Sequence, residues 1–292
     1  MQFITTSQIA KRNNAESQGF KIMIELFSYQ FVWVALFVSF LVSICSGVIG
    51  SMIVANKNVF VAGGVAHSAF GGVGLALFCG FSTMLGALCF GVAMAIFLAY
   101  AFLYQRERLD AYVGASWAFG MAIGVILIDL SPGYNSDISS YLFGSILAVG
   151  TDEMIAMAAF DIFLIIFVRL YYYEILGLFY DSEFCQTKGL NVNVWISVVF
   201  VLIAIGVVLS MSVAGLILVL AILSIPAYIA NLFSHSLGSM MFISWLISLI
   251  FMWAGFFIAY YFNISIGACI VVLLALGMFS AMLIHKMTRR FL

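Results

Sequence analysis

The sequence predicts an all-α, polytopic integral membrane protein with about nine transmembrane helices. Three observations carry this reading. Of the 292 residues, 65% are hydrophobic and only 8% are charged, too few charges to keep a soluble surface hydrated. The mean hydropathy is +1.21. Residues 31–54, 240–262 and 264–284 carry no formal charge, and at about 1.5 Å rise per residue each run spans roughly 30 Å of hydrocarbon as a helix. The runs lack the two-residue alternation of a barrel strand.

In chain order, residues 1–22 form a polar tail with Lys11, Arg12 and Lys21, and residues 23–292 form a transmembrane domain. The tail has no apolar core of the kind a signal peptide needs. Met23 directly precedes the first apolar stretch and offers an alternative start. Hydropathy and breaks at charge then place helices at 31–53, 60–80, 82–103, 112–130, 153–173, 192–211, 213–230, 240–262 and 264–285. Between the fourth and fifth lies a loop, 131–152, whose apolar piece 141–149 is too short to span and reads as a partial or re-entrant helix.

With nine helices, Lys57, Arg106, Arg108, Arg169, Lys188, Lys286, Arg289 and Arg290 fall on one side. Cation excess marks that side as cytoplasmic and puts the C-terminus there. The tail cations Lys11, Arg12 and Lys21 oppose this, which favours the start at Met23. The opposite loops are cation-poor. Asp129, Asp137, Asp152 and Glu153 make one of them acidic, either to attract cations or simply because carboxylates are tolerated outside.

Several functions are excluded. The net charge is −1 with no basic block, so nucleic acid is not a partner. The five cysteines, Cys45, Cys79, Cys89, Cys185 and Cys269, never form CxxC and suggest neither disulfides nor structural zinc. No GxxxxGK[ST] is present, so any ATP hydrolysis belongs to a separate subunit. HExxH is absent, and three scattered histidines do not make a zinc-protease site.

Two stretches carry chemistry. In Ala62-Gly63-Gly64-Val65-Ala66-His67-Ser68-Ala69-Phe70-Gly71-Gly72-Val73-Gly74, the residues Gly64, His67, Ser68, Gly71 and Gly74 share one helical face. Small residues at that spacing let another helix approach closely, including one from a second copy. A histidine there faces protein or a pathway rather than lipid, and neutral imidazole is a good ligand for zinc and its neighbours. The plainer alternative is a buried histidine bonded to a neighbouring helix. The second stretch, Tyr180-Asp181-Ser182-Glu183-Phe184-Cys185-Gln186-Thr187-Lys188-Gly189-Leu190, is a short amphipathic segment. Gly189 suits a helix C-terminus. The segment is either a coupling helix that docks into another protein or a solvated connector.

These stretches, taken in order, resemble the permease subunits of the metal-ion ABC importers, which import zinc, manganese or iron. The resemblance is carried by Gly47-Val48-Ile49-Gly50-Ser51, Gly64-Val65-Ala66-His67-Ser68-Ala69, Ser140-Tyr141-Leu142-Phe143-Gly144-Ser145-Ile146-Leu147, Tyr180-Asp181-Ser182-Glu183-Phe184 with Gly189-Leu190, and Ser210-Met211 with Gly215-Leu216-Ile217-Leu218-Val219 and Ile225-Pro226-Ala227. It implies two permease copies driven by two ATP-binding subunits, together with an extracytoplasmic metal-binding protein. It further implies that His67 lies on the metal pathway and that Asp181, Glu183, Phe184, Gly189 and Leu190 form the ATPase contact. Many members carry an aspartate four residues before the histidine, where this chain has Gly63. Zinc is the first choice of cargo because imidazole suits it, with manganese and iron also open. The alternative function is an ion-coupled secondary transporter. Such a carrier would not need the 180–190 segment and would show matched halves with broken helices.

Among the remaining polar residues, Asp161 lies midway in the fifth helix, where a carboxylate is costly unless paired or hydrated. It could supply an anion to the pathway, or partner a neighbouring hydroxyl or Arg169. His235 reads as a turn residue and His285 as an interfacial one. Pro226 removes one backbone hydrogen bond from its helix.

Overall fold

The structure, a computed structural model, describes residues 29–131 and 149–291. The first apolar run folds as helix α1, Gln30–Ala55. Its interior leaves α geometry at a π-helical turn, Ser46–Gly50. Then come α2 (Val59–Cys79), α3 (Thr83–Tyr104) and α4 (Leu109–Asp129), with a short turn Arg106–Arg108 between the last two. Helix α5 (Thr151–Leu170) bends by 74° into α6 (Tyr172–Tyr180). The chain continues through α7 (Ser182–Thr187), α8 (Val192–Ala214), α9 (Leu216–Phe233), α10 (Leu237–Phe262) and α11 (Ile266–Phe291). Among the described residues there is no strand, and eight helices are long and apolar enough to cross a membrane, or nine with the bent pair counted as one span.

Three of the boundaries that differ from the sequence expectation are set by local features. The break between α8 and α9 falls at Gly215, whose φ of +83° a side chain would disfavour. Helix α5 begins at Thr151, so Asp152 and Glu153 lie in its first turn, and the Glu153 carboxylate accepts the Gly150 N–H at 3.1 Å. Carboxylates suit that end because unpaired backbone N–H groups gather there. The last helix runs on to Phe291, carrying the Lys286 end as a continuous helix. The tail 1–22 and the expected short helix 141–149, except for Val149, lie outside the described residues.

Helix α2 is the centre of the fold: 83% of its span is buried, against 22% for α11. It packs on α3 and α4, and α8 covers α3 and α2 from the other side. Helices α9, α10 and α11 pack on one another, and α1 joins them through its π-helical turn. There a Cβ on Gly47 would meet the Trp245 backbone, and one on Gly50 would run into the Leu223 carbonyl. Large apolar side chains such as Trp33, Ile126, Ile162 and Leu283 are exposed on the outside, as a lipid-facing surface requires.

Pro226 sits inside α9 without ending it. Lacking an N–H, it leaves the Ile222 carbonyl, four residues back, without its helical donor. The Ser46 hydroxyl of α1 donates to that carbonyl at 2.5 Å and lies 2.9 Å from the Ser248 hydroxyl of α10. A buried serine thus bonds three helices at the point where proline weakens one of them.

Candidate transport pathway and coupling site

The small face of α2 is occupied within the chain. Ser68 donates to the Gly64 carbonyl at 2.6 Å and to the Ser116 carbonyl of α4 at 3.0 Å. A Cβ on Gly71 would lie 2.8 Å from the Gly120 oxygen, one on Gly74 2.5 Å from the Gly124 oxygen, and one on Gly64 2.8 Å from Val113. These approaches are closer than any side chain tolerates, so the residues are small because α4 lies against them. The glycine face that could have met a second copy therefore meets α4.

His67 is carried on this helix, 7% exposed. Its ring stacks on Trp117 of α4, with centroids 3.7 Å apart and planes 13° from parallel. Its Nδ1 is buried with no hydrogen-bond partner among the described residues. One turn earlier, a Cβ on Gly63 would be 3.5 Å from both Leu220 and Trp117, an ordinary contact. Gly63 borders a cavity of about 190 Å³ that Trp117, Leu220, Leu223, Ser224, Phe60 and Ile53 also line. At this position the chain has space rather than a second ligand. Trp117 was missed by sequence reasoning. Val113, Ser116, Trp117, Gly120 and Gly124 share one face of α4, and that spacing was the available signal.

Asp161 belongs to a different cluster. It is 2% exposed, and neither carboxylate oxygen has a hydrogen-bond partner among the described residues. Its helix packs on α1 and α8, while His67 stacks on Trp117 of α4. Arg169 is exposed two turns further on. Among the described residues no three His, Cys, Asp or Glu side chains converge as a metal site.

The 180–190 segment forms the short helix α7, capped at both ends. The Asp181 carboxylate accepts the Phe184 N–H at 2.9 Å. At the other end Leu190 N–H donates to the Cys185 carbonyl at 3.1 Å and Gly189 N–H to the Gln186 carbonyl at 2.9 Å. This paired closure needs a left-handed residue, and Gly189 supplies it at φ +84°. Cys185 is buried against Gly177 of α6, while Phe184 is 55% exposed with Lys188 Nζ 5.4 Å from its ring centre. Glu183 and Gln186 border a polar cavity of about 460 Å³ shared with Arg106, Asn56 and Asn193. The helix is thus anchored by its inner side and presents Phe184 outward. His235 lies exposed in the turn after α9, and His285 packs edge-on against Phe233 with centroids 5.8 Å apart.

Comparison with known proteins bears on these two sites. The sequence profile described as the ABC 3 transport family matches residues 28–285. An uncharacterized membrane protein of Synechocystis is 40% identical over 87% of this chain and 91% of its own. The manganese transport system membrane protein MntC of Listeria monocytogenes is 30% identical over 88% of this chain and 92% of its own. Among solved structures, PsaBC from Streptococcus pneumoniae in complex with Fab superimposes with a TM-score of 0.79 at 27% identity, covering 89% of this chain and 94% of that one.

Proposed function

This chain belongs to the ABC 3 transport family, and from that premise we propose that it is the permease of an ATP-driven importer whose cargo is zinc. It is a multi-pass membrane permease subunit, not an enzyme, and ATP hydrolysis resides in a separate subunit. The observation that carries the choice of metal is His67, a buried imidazole whose neighbour one turn away is Gly63 rather than a carboxylate. Nitrogen ligation without a carboxylate suits zinc better than manganese, which favours oxygen. A second reading, manganese, is supported by the name of the Listeria relative.

A single imidazole cannot complete a coordination shell. The reading therefore places two permease copies side by side, each bringing His67 to a shared path, while Asp161 lies apart from it, buried on α5. Two ATP-binding subunits dock, one on α7 of each copy, with Phe184 as the anchor. A metal-binding protein delivers the ion on the opposite side. The membrane is the cytoplasmic one, with the α11 end inside, as the distribution of lysine and arginine favours.

The test is uptake of radioactive zinc and manganese into vesicles holding the permease and its ATPase. The proposal expects ATP-dependent accumulation with zinc outcompeting manganese. Preference for manganese replaces zinc with the second reading. Accumulation driven by an ion gradient without ATP contradicts both.

A further inference from the structure

We propose that α3, α5, α7 and α8 together form a site for one phospholipid whose headgroup carries an ammonium group. Its acyl chains lie in an outward-facing apolar groove and its headgroup in the polar cavity beside α7. The groove has a volume of about 700 Å³, within the roughly 300–1,000 Å³ of small-molecule sites. Ile96 and Tyr100 of α3, Phe163 of α5, and Val198, Val201 and Ile205 of α8 form its walls. Ile96, Tyr100 and Phe163 are more than half exposed, on the outside of a membrane-spanning bundle where the surrounding medium is lipid. At one end the groove runs into the polar cavity of about 460 Å³, because Leu103 and Asn193 border both. This change from apolar to polar falls at the depth of the membrane interface. Tyr100 and Tyr104 pair at the end of α3 with centroids 4.7 Å apart, and Tyr171 packs on Trp195 at 5.1 Å, just after α5 and early in α8. Tyrosine and tryptophan gather where hydrocarbon meets headgroups.

Both signs of charge border the polar cavity. The Arg106 guanidinium, 4.9 Å from the centre of the Phe102 ring, lies on one side, and Glu183 of α7 also lines it, with Gln186 and Asn56. A guanidinium donates two parallel N–H bonds to a phosphate. A carboxylate accepts from the N–H groups of an ammonium. An ethanolamine headgroup carries phosphate and ammonium next to each other, as the cavity carries Arg106 and Glu183. A trimethylated amine has no N–H to offer Glu183, and a glycerol headgroup has no cation to meet it. The site therefore selects phosphatidylethanolamine over phosphatidylcholine and phosphatidylglycerol. The apolar flank of a second copy would fill the groove but would leave the charged cavity unmatched. Because Glu183 and Gln186 belong to α7, the bound headgroup also ties α7 to the end of α3. The site depends on the membrane-spanning fold and not on the cargo, so either reading can fail without the other.

The experiment is native mass spectrometry of the purified full-length chain, delipidated in detergent and offered phosphatidylethanolamine, phosphatidylcholine and phosphatidylglycerol of matched chains in equal amounts. The wild-type chain is expected to retain one phosphatidylethanolamine, about fivefold over the other two lipids, the upper range for an exposed ion pair. Arg106→Gln is expected to lower its retention by a similar factor, and Glu183→Gln to erase the preference over phosphatidylcholine. Val201→Trp, which fills the groove, is expected to abolish retention while the size-exclusion profile stays that of wild type. Equal retention of the three lipids overturns the proposal, as does a preference that survives both Arg106→Gln and Glu183→Gln. A wild-type chain that retains no lipid overturns it too, and if that chain runs as a dimer that Val201→Trp breaks, the groove belongs to a second copy.

Discussion

The imidazole of His67 lies flat on the indole of Trp117, with ring centroids 3.7 Å apart. The stack fixes the plane of the imidazole and so the direction of its nitrogens. Such aromatic pairs contribute about 0.5–1.5 kcal/mol beyond the area they bury. Trp117→Ala should therefore lower uptake at limiting metal while protein level stays near normal, and Trp117→Phe should retain most of it. Uptake measured across metal concentrations checks this. Unchanged uptake in Trp117→Ala would make the indole a packing residue only.

The close approach of α2 and α4 predicts opposite outcomes for two glycines. A Cβ on Gly120 would collide with the Cα of Ser68, whereas one on Gly63 meets nothing nearer than 3.5 Å. Gly120→Ala should lose most folded protein, because both colliding atoms belong to backbones that cannot yield separately. Gly63→Ala should fold normally. Size-exclusion profiles of fluorescently tagged variants test the pair, and equal yields would contradict the packing described.

Ser46 and Pro226 should be coupled although they lie on different helices. Removing the Ser46 hydroxyl leaves the Ile222 carbonyl without a donor, at a cost of roughly 0.6–1.7 kcal/mol for an interhelical hydrogen bond in a membrane. In a Pro226→Ala background the restored N–H can serve that carbonyl. Ser46→Ala should then cost less, and a double-mutant cycle from unfolding midpoints measures the difference. Strict additivity would mean that the serine is not compensating for the proline.

Phe184 tests the coupling role of α7. Phe184 is 55% exposed, so covering it in a partner would recover about half of the roughly 1.5–3 kcal/mol that full burial brings, and buried aromatic residues commonly dominate interfaces. Phe184→Ala should reduce co-purification of the ATPase and uncouple hydrolysis from transport. Gly189→Val should act similarly, since φ +84° is strained for a β-branched residue. Full ATPase retention in Phe184→Ala would make α7 a connector.

Much of this was legible in the sequence because membrane helices announce themselves by uncharged length. The glycine spacing of α2 identified a tightly packed face, and Gly189 marked the end of α7. What the sequence could not give was the identity of the packing partner. The α2 face could have met another copy as readily as α4, since small-residue spacing records close approach but not to what. Ser46 is one small residue in an apolar run, and its role appears only with the Ile222 carbonyl opposite. The bend after Leu170 was likewise hidden, because α5 and α6 are both apolar.

The most direct test of the transport account is ATP-dependent zinc uptake into proteoliposomes containing the permease and its ATPase, comparing wild type with His67→Ala at matched protein content. The account predicts that His67→Ala assembles with the ATPase as wild type does and loses most uptake at limiting metal. Asp161→Asn, the companion variant, should show a smaller loss. Uptake by His67→Ala equal to wild type at limiting zinc would contradict the account and leave His67 as a stacked core residue.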